Sequence, residues 1–452
     1  MPPARMQTID PNVRCIFSLM KFKTTIFLLI VLACLTRSRA QAAPQTMWTV
    51  GTPIVSYWAG PGFPGGGGGP LNDAAAVQLK EGGWNLVWCR EGELDVAERH
   101  GLRCQLSNAL LVPASLDDPQ KRAELDAFVA RVRDHSALYS YFLTDEPSTA
   151  QFAGLGKLVA YLREKDPAHL AYINLLPTYA SNEQLGAKGT PVAAYHEYLN
   201  QYLKAVKPQL LSYDHYQFAT KSDLPDYFLN LAIMRRTALK AGIPFLNIVQ
   251  AVTWTPTMRV PNEEEMRYLV YTTLAYGAQG ITYFVYCYPK FKPGIALPDG
   301  TTTPVYDWLK ILNRDFAAIA GQTQNLRSIG VFHAGMQPPG AVALPVSSGF
   351  RFNHDLSSKP FKRGKRVQGL LLGLFGPEDN HSSPSMALAV NLDYKKSARV
   401  TLRGPSDLDV FDPASGVWTS VGGDSVKMHL PPGGGKLVRV HSTAANYAAL
   451  SH

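Results

Sequence analysis

LYSYFLTDEP, Leu138 to Pro147, sets an apolar run directly against two consecutive carboxylates. Such a run reads as a buried strand, and unpaired acids do not stay in a core, so Asp145 and Glu146 mark the place where a strand leaves the interior. Working outward, seven further apolar, β-branched or aromatic runs begin near Pro53, Trp84, Leu102, Leu170, Leu210, Phe245 and Ile281. Amphipathic helical stretches lie between them, among them Asp118–Arg133, Gln151–Lys165, Pro191–Val206, Asp223–Ala241 and Glu263–Tyr276. Gly83, Gly101, Gly242 and Gly280 fall between helix and next strand, and Pro167 and Pro208 stop two more helices. Eight strand–helix units in about 270 residues predict a closed (β/α)8 barrel of α/β class, a TIM barrel, over residues 43–325. No Gly-x-Gly-x-x-Gly follows the first run, which argues against an open dinucleotide-binding sheet, and Gly65–Gly69 reads as a loop.

From about Arg327 the pattern changes to short runs of period two: Gly369–Phe375, Met386–Asn391, Ala398–Leu402, Leu408–Phe411, Val426–Leu430 and Lys436–Val440. Turn residues separate them, so a C-terminal antiparallel β-sandwich is expected over residues 326–445, followed by a tail, 446–452. Ser347–Lys365, polar and basic, reads as an exposed loop.

The chain has 452 residues, 46% of them hydrophobic and 17% charged, which is globular composition. Its formal charge of +9 invites a nucleic-acid reading. Residues 1–42 carry Arg5, Arg14, Lys21, Lys23, Arg37 and Arg39 against Asp10 and so account for five of those nine charges. The remainder offers no basic stripe interleaved with aromatics, and no nucleic-acid partner is expected. The same segment reads as a secretory signal peptide: Lys21 and Lys23 precede the apolar run Ile26–Leu35, and Ala40-Gln41-Ala42 supplies a small-residue cleavage site. The run is far shorter than the ~20 residues of a spanning helix, so no transmembrane span is expected. An extracytoplasmic location follows. The alternative is a lipoprotein box, Val31-Leu32-Ala33-Cys34, which would leave a lipid anchor at Cys34 and the protein tethered to a membrane. Beyond the leader only Cys89, Cys104 and Cys287 remain, an odd number without metal-finger spacing, and buried thiols are expected in preference to a Cys89–Cys104 pair.

Barrel enzymes place reactive groups at the C-terminal ends of their strands. Here those ends read Tyr57-Trp58, Cys89-Arg90-Glu91, Gln105 to Asn108, Thr144 to Pro147, Asn174, Tyr213-Asp214-His215-Tyr216-Gln217, Asn247 and Gln250 with Trp254 beyond, then Tyr283, Tyr286 and Tyr288. Aromatic faces stack on sugar rings while carboxylates and amides bind hydroxyls, so the set suggests a carbohydrate site. The competing reading of Asp145-Glu146 is a helix N-terminus, with Glu146 and Ser148-Thr149 capping the stretch from Gln151. His215 has no second histidine at ligand spacing, and no metal site or cofactor is expected. No Gly-x-Ser-x-Gly elbow follows any strand.

Asp145-Glu146-Pro147 on the fourth strand resembles the Asn-Glu-Pro motif of the large retaining clan of barrel glycoside hydrolases that includes family 42 β-galactosidases, with Asp in place of Asn. That resemblance implies Glu146 as acid/base. Arg267–Phe284, with Ala275 to Ile281 leading into Tyr283-Phe284, also resembles the last helix and strand of such barrels. The clan's nucleophilic Glu belongs on strand seven, where this chain reads Asn247-Ile248-Val249-Gln250-Ala251-Val252-Thr253-Trp254 without an acid. Glu263, Glu264 and Glu265 come later and read as first-turn helix acids. An adjacent Asp-Glu pair is also similar to the substrate-assisted hexosaminidases of families 20 and 123. By that resemblance Asp145 polarises the substrate acetamide, Glu146 protonates the leaving oxygen, and Tyr213 or Tyr216 holds the acetamide. A third arrangement pairs Glu146 with Asp214 on strand six or Glu91 on strand two. A carboxyl separation of about 5 Å would then give retention and about 6.5–9.5 Å inversion.

The expectation is thus a secreted glycoside hydrolase acting on a poly- or oligosaccharide. Glu146, Asp145 and Asp214 are its catalytic candidates, and Trp58, Glu91, Asn174, Tyr213, His215, Tyr216, Gln250, Trp254 and Tyr286 its substrate-binding candidates. The alternative is a carbohydrate-binding protein on a glycosidase-like barrel that has lost turnover. The sequence assigns no sugar, linkage or oligomeric state.

Overall fold

A computed structural model describes residues 47–291, 293–353, 359–362, 366–377 and 383–441. The leader, Cys34 and the tail lie outside the described residues. Eight strands, β1 (Ile54–Trp58), β2 (Leu86–Cys89), β3 (Arg103–Leu106), β4 (Leu138–Asp145), β5 (Leu170–Leu175), β6 (Leu211–Asp214), β7 (Phe245–Gln250) and β8 (Gly280–Phe284), form one parallel sheet. Among the described residues the helices longer than four residues are α1 (Asp73–Glu81), α2 (Leu94–Arg99), α3 (Pro119–Val132), α4 (Phe152–Lys165), α5 (Pro191–Val206), α6 (Tyr227–Ala241) and α7 (Glu263–Ala275), which lie between the strands, and α8 (Pro304–Thr323), which follows β8.

The strand order β1-β8-β7-β6-β5-β4-β3-β2 leaves a seam between β1 and β2 with no backbone ladder. One backbone bond, from Asn85 N to the Val55 carbonyl (3.0 Å), and several side-chain bonds close it. Asn85 Oδ1 accepts from Val55 N (3.0 Å), Asn85 Nδ2 donates to the Pro53 carbonyl (2.8 Å), and Trp88 Nε1 donates to the Tyr57 carbonyl (2.8 Å). Strand alternation then sorts the residues. Ile54, Leu86, Leu170, Leu210 and Leu246 pack inside the cylinder, whereas Tyr141 turns outward to Asp166 and Phe128 beneath α3.

Helix boundaries follow from their caps. Asp118 accepts from the Gln120 and Lys121 amides ahead of Pro119, and Asn262 with Glu265 forms a capping box that opens α7, so the acids Glu263–Glu265 do sit in a first turn. Cys89 and Cys104 are not free thiols. They lie on the hydrogen-bonded pair β2–β3 with Cα atoms 5.7 Å apart and form a disulfide, which corrects the sequence expectation. The spacing of one βα unit had brought their side chains to the same outer face, and that face sits under the helices.

Strand β9 (Arg327–Gln337) opens the C-terminal region. It carries a seven-stranded sheet with β11 (Lys359–Pro360), β12 (Gly369–Gly376), β13 (Met386–Asn391), β15 (Leu408–Asp412), β16 (Val417–Ser420) and β18 (Gly435–Val440). A three-stranded sheet holds β10 (Arg351–Phe352), β14 (Ala398–Arg403) and β17 (Ser425–Leu430). All pairs are antiparallel except β11 with β9. Residues 347–365, expected as an exposed loop, contribute β10 and β11, and Phe350 is wholly buried. On β12 the alternation divides two cores: Leu370, Leu372 and Leu374 face the small sheet with Val400, Leu402 and Leu430, while Leu371 and Phe375 join the barrel's core. Gly373 lies where β12 crosses the end of α7, and a Cβ there would meet the Ala275 carbonyl at 2.2 Å. Among the described residues no helix is long and apolar enough to cross a membrane.

Candidate active site

Strand β4 delivers its acids by two departures from regular geometry. Its pairing with β5 shifts register between Phe142 and Thr144, and Glu146, one residue past the strand, takes a left-handed backbone with φ +47° while its amide donates to the Asn174 carbonyl (2.9 Å). A non-glycine residue at positive φ is strained, and such strain is found where a side chain has to be aimed. Glu146 takes no part in capping, because Ser148 and Gln151 form the capping box that starts the next helix.

Alternation brings Tyr172 and Asn174 of β5, and Ser212 and Asp214 of β6, to the same side. The Tyr172 hydroxyl donates to Ser212 Oγ (2.7 Å), and Ser212 donates to Asn174 Oδ1 (3.0 Å). This fixes the amide orientation, so Asn174 Nδ2 faces the acids and donates to Asp145 Oδ1 and Asp214 Oδ1, both at 3.0 Å. The Glu146 and Asp214 carboxyls meet within hydrogen-bonding reach. Three carboxylates therefore converge at the mouth of the barrel.

Their protonation follows from crowding. Solvent reaches Asp145 and Glu146, yet the surrounding protein strips much of their hydration, and burial with the charge of Asp145 pushes Glu146 up to about 7. Asp214, buried to 3% exposure, is driven well above the ordinary carboxylate range by burial and then by its two acidic neighbours. The hydrogen bond between Asp214 and Glu146 raises Asp214 further and lowers Glu146. Burial raises Asp145 as well, against the opposing pull of the Asn174 hydrogen bond. No Lys or Arg forms an ion pair with any of the three among the described residues.

Aromatic rings surround this cluster. Tyr216 packs against Trp254 (4.6 Å between centroids) and Phe284 (5.1 Å), and its hydroxyl lies within electrostatic range of all three acids. Trp58 packs edge-on against Trp88 (5.3 Å) and Phe142 (5.8 Å), and Phe142 neighbours Tyr172. Tyr179, in the loop after β5, is 45% exposed and feels Asp214 and Glu146. Sequence reasoning missed Tyr179, Phe142 and Phe284. It stopped at the polar end of each strand, and Tyr179 lies five residues further on.

Five expected residues point elsewhere. Glu91 is bound by Arg131 of α3 (Nε to Oε1, 2.7 Å) on the outer surface. Tyr213 sits between the inward Ser212 and Asp214, so it faces the helices and is wholly buried. His215 is buried against α6 with Nδ1 3.0 Å from Asn230 Oδ1, and burial pushes it down to about 4, a neutral imidazole. Gln250 clips the following loop, its amide bonding both backbone groups of Phe218 and the Arg259 carbonyl. The Tyr286 hydroxyl donates to Gln78 of α1 (2.8 Å). Asp95, Glu98 and His135 bring ligand atoms within 4.8 Å of one another on the helix layer, but His135 already bonds Asp95 and Ser136 bonds Glu98. Two cavities of about 420 Å³, one near Arg235–Ser328 and one near Asp223–Lys395, include none of the three acids.

Neither a family model nor a curated protein matches the chain. Solved structures with a similar fold include a glucosidase from Croceicoccus marinus, 12% identical with a TM-score of 0.44, the likeness covering 86% of this chain and 96% of that one. A β-galactosidase from the psychrophilic Marinomonas ef1 is 12% identical with a TM-score of 0.41 over 55% of this chain, which spans 58% of the galactosidase's length. An endo-α-mannosidase from Bacteroides thetaiotaomicron is 13% identical with a TM-score of 0.39, covering 55% of this chain and 80% of that one. At these identities and scores the likenesses assign neither a substrate nor the role of any residue.

Proposed function

We propose that the chain is an O-glycoside hydrolase acting on a poly- or oligosaccharide, with Glu146 as the general acid. The observation that carries this reading is the convergence of Glu146, Asp145 and Asp214 inside an aromatic-walled mouth, with Glu146 held near pH 7. A carboxyl that titrates close to neutrality is protonated often enough to donate to a leaving oxygen and is readily reprotonated. Asp145, next to it and fixed by Asn174, supplies negative charge for the positive charge that develops at the anomeric carbon. Burial and the neighbouring Asp145 keep Glu146 from ionising far below neutrality, and the hydrogen bond with Asp214 tempers that rise. The aromatic faces of Tyr216, Trp254 and Tyr179 offer stacking surface for the ring. Substrate assistance is compatible with the same arrangement, and in it Asp145 would orient a 2-acetamido group without an enzymic nucleophile.

The test is Glu146→Gln. Over a broad glycan panel the wild type should cleave at least one member and the variant should lose at least about 1000-fold in rate, within the span general acid catalysis supplies, while binding of that glycan persists. A wild type that binds glycans and cleaves none would favour the binding-protein reading, for which the buried amide of Gln250 at the end of β7 is the supporting observation. An extracytoplasmic location belongs to the same proposal. The leader's composition supports it, and so does the Cys89–Cys104 disulfide, which suits an oxidising compartment. Residues 43–325 as a catalytic barrel with 326–445 as a supporting sandwich is the proposed division of labour.

A further inference from the structure

We infer that the sugar ring held in the mouth carries an unsubstituted, protonated amino group, an inference that rests on the glycosidase reading of the same site and names its substrate class. Two independent features point to a cation. The first is charge: Asp145, Glu146 and Asp214 converge on one small volume, and their described partners are one amide, Asn174, and each other. In the free protein burial and mutual repulsion hold these carboxyls above their ordinary range; a neutral sugar hydroxyl does nothing to let them ionise, and a uronate or sulfate opposes it. An ammonium can take the place of their protons through charge-assisted hydrogen bonds, the stronger kind.

The second feature is the wall. Tyr216, Trp254 and Phe284 form a mutual cluster with centroids 4.6–5.2 Å apart, and Tyr179 stands exposed beside the same acids. Aromatic faces carry negative quadrupolar charge and attract a cation placed over them, most strongly where water is thinned. Carboxylates joined to an aromatic cage suit a primary ammonium on an apolar ring face better than they suit a hydroxyl. Asp145 and Asp214, both hydrogen-bonded to Asn174, are the pair placed to receive the ammonium, which leaves Glu146 free for the glycosidic oxygen. The groups facing the ammonium are thus Asp145 and Glu146 from the β4 end, Asp214 and Tyr216 from the β6 end, and Tyr179 from the β5 loop.

Proton linkage gives a readout independent of turnover. An added positive charge lowers the carboxyl pKa values, so binding an amino sugar at pH 6, where its amine is already protonated, releases protons. Calorimetry of glucosamine, N-acetylglucosamine and glucose, each in two buffers of different ionisation enthalpy, measures it. Glucosamine should bind at least about tenfold more tightly than glucose, the scale of one hydrogen bond to a charged group, and it alone should release protons. Asp145→Asn, its fold checked by circular dichroism, should erase the preference while glucose binding persists. Asp214→Asn is the second variant should the first unfold. Equal binding of the three sugars, absence of glucosamine binding, or a preference that survives both variants overturns the inference. Cleavage of N-acetylated and neutral glycans as fast as of their de-N-acetylated counterparts overturns it and leaves the hydrolase reading intact. Selective glucosamine binding without cleavage of any glycan sinks the hydrolase reading alone.

Discussion

Asn174 holds the site at the scale of single residues, because one NH2 group serves two carboxylates and is itself oriented by Ser212 and Tyr172. Asn174→Ala removes the donor that holds Asp145 and Asp214 down, so both rise further. If activity needs Asp145 ionised, the acidic limb of the pH–rate profile should move to higher pH, and an unmoved limb would remove Asn174 from the electrostatics. Glu146 makes a second prediction, on stability. Its folded value of about 7 lies above the ordinary 4.5 of a free glutamate, so the folded protein binds a proton that the unfolded chain releases. The stabilisation is complete below about pH 4.5 and is lost as pH rises through 7. Glu146→Gln should therefore be more stable than wild type at pH 8, by about 1 kcal/mol once screening by the solvent that reaches the carboxylate is allowed for, and the two should converge near pH 5. Thermal melts at both pH values check the sign. The acid pair was legible because two charges end an apolar run. Tyr213 and Tyr286 were misplaced because strand composition carries no phase: only the observed alternation shows which neighbour of Asp214 faces inward.

Elements were easier to read than residues. All eight barrel strands fall close to where runs of apolar residues begin, since burial on both faces demands continuous hydrophobicity. The short strands β10, β11 and β16 escaped notice, being too brief for any period to show, and so did the long β9, whose burial does not alternate strictly. The β2–β3 disulfide escaped for another reason. Pairing depends on register, and Cys89 opposite Leu106 with Cys104 opposite Val87 becomes visible only when the strands are aligned. It closes a loop over a sequence separation of 15, for which chain entropy gives about 3 kcal/mol. The double variant Cys89→Ser with Cys104→Ser should lower the denaturation free energy by about that amount in the chain-entropy estimate, measurable by urea titration. No change would mean that the bond closes a loop already ordered in the denatured chain.

For the whole molecule, the larger C-terminal sheet shares its core with the barrel, so the two regions stand or fall together. Leu371, Phe375, Leu388, Val390 and Leu437 belong to the same buried cluster as the barrel helices. Gly373→Ala tests this, because the added methyl collides with backbone rather than with a flexible side chain. The variant should lose about 1–3 kcal/mol, the usual cost of overpacking, and should melt in a single transition when followed by near-ultraviolet circular dichroism and by calorimetry. Two separated transitions would show independent units. The sequence marked the change of pattern near Arg327 but not this shared face, since the alternation of β12 serves both cores at once.

The ladder's break between β1 and β2 lies across the cylinder's diameter from β5, the strand that bears Asn174. Were the girth to widen, the bonds to give are the few at the Asn85 and Trp88 clasps beside the Trp58 wall, while the acids on the far side are braced by unbroken amide rungs. A ring of larger girth could then be admitted by widening one jamb of the doorway without retuning the proton chemistry on the other.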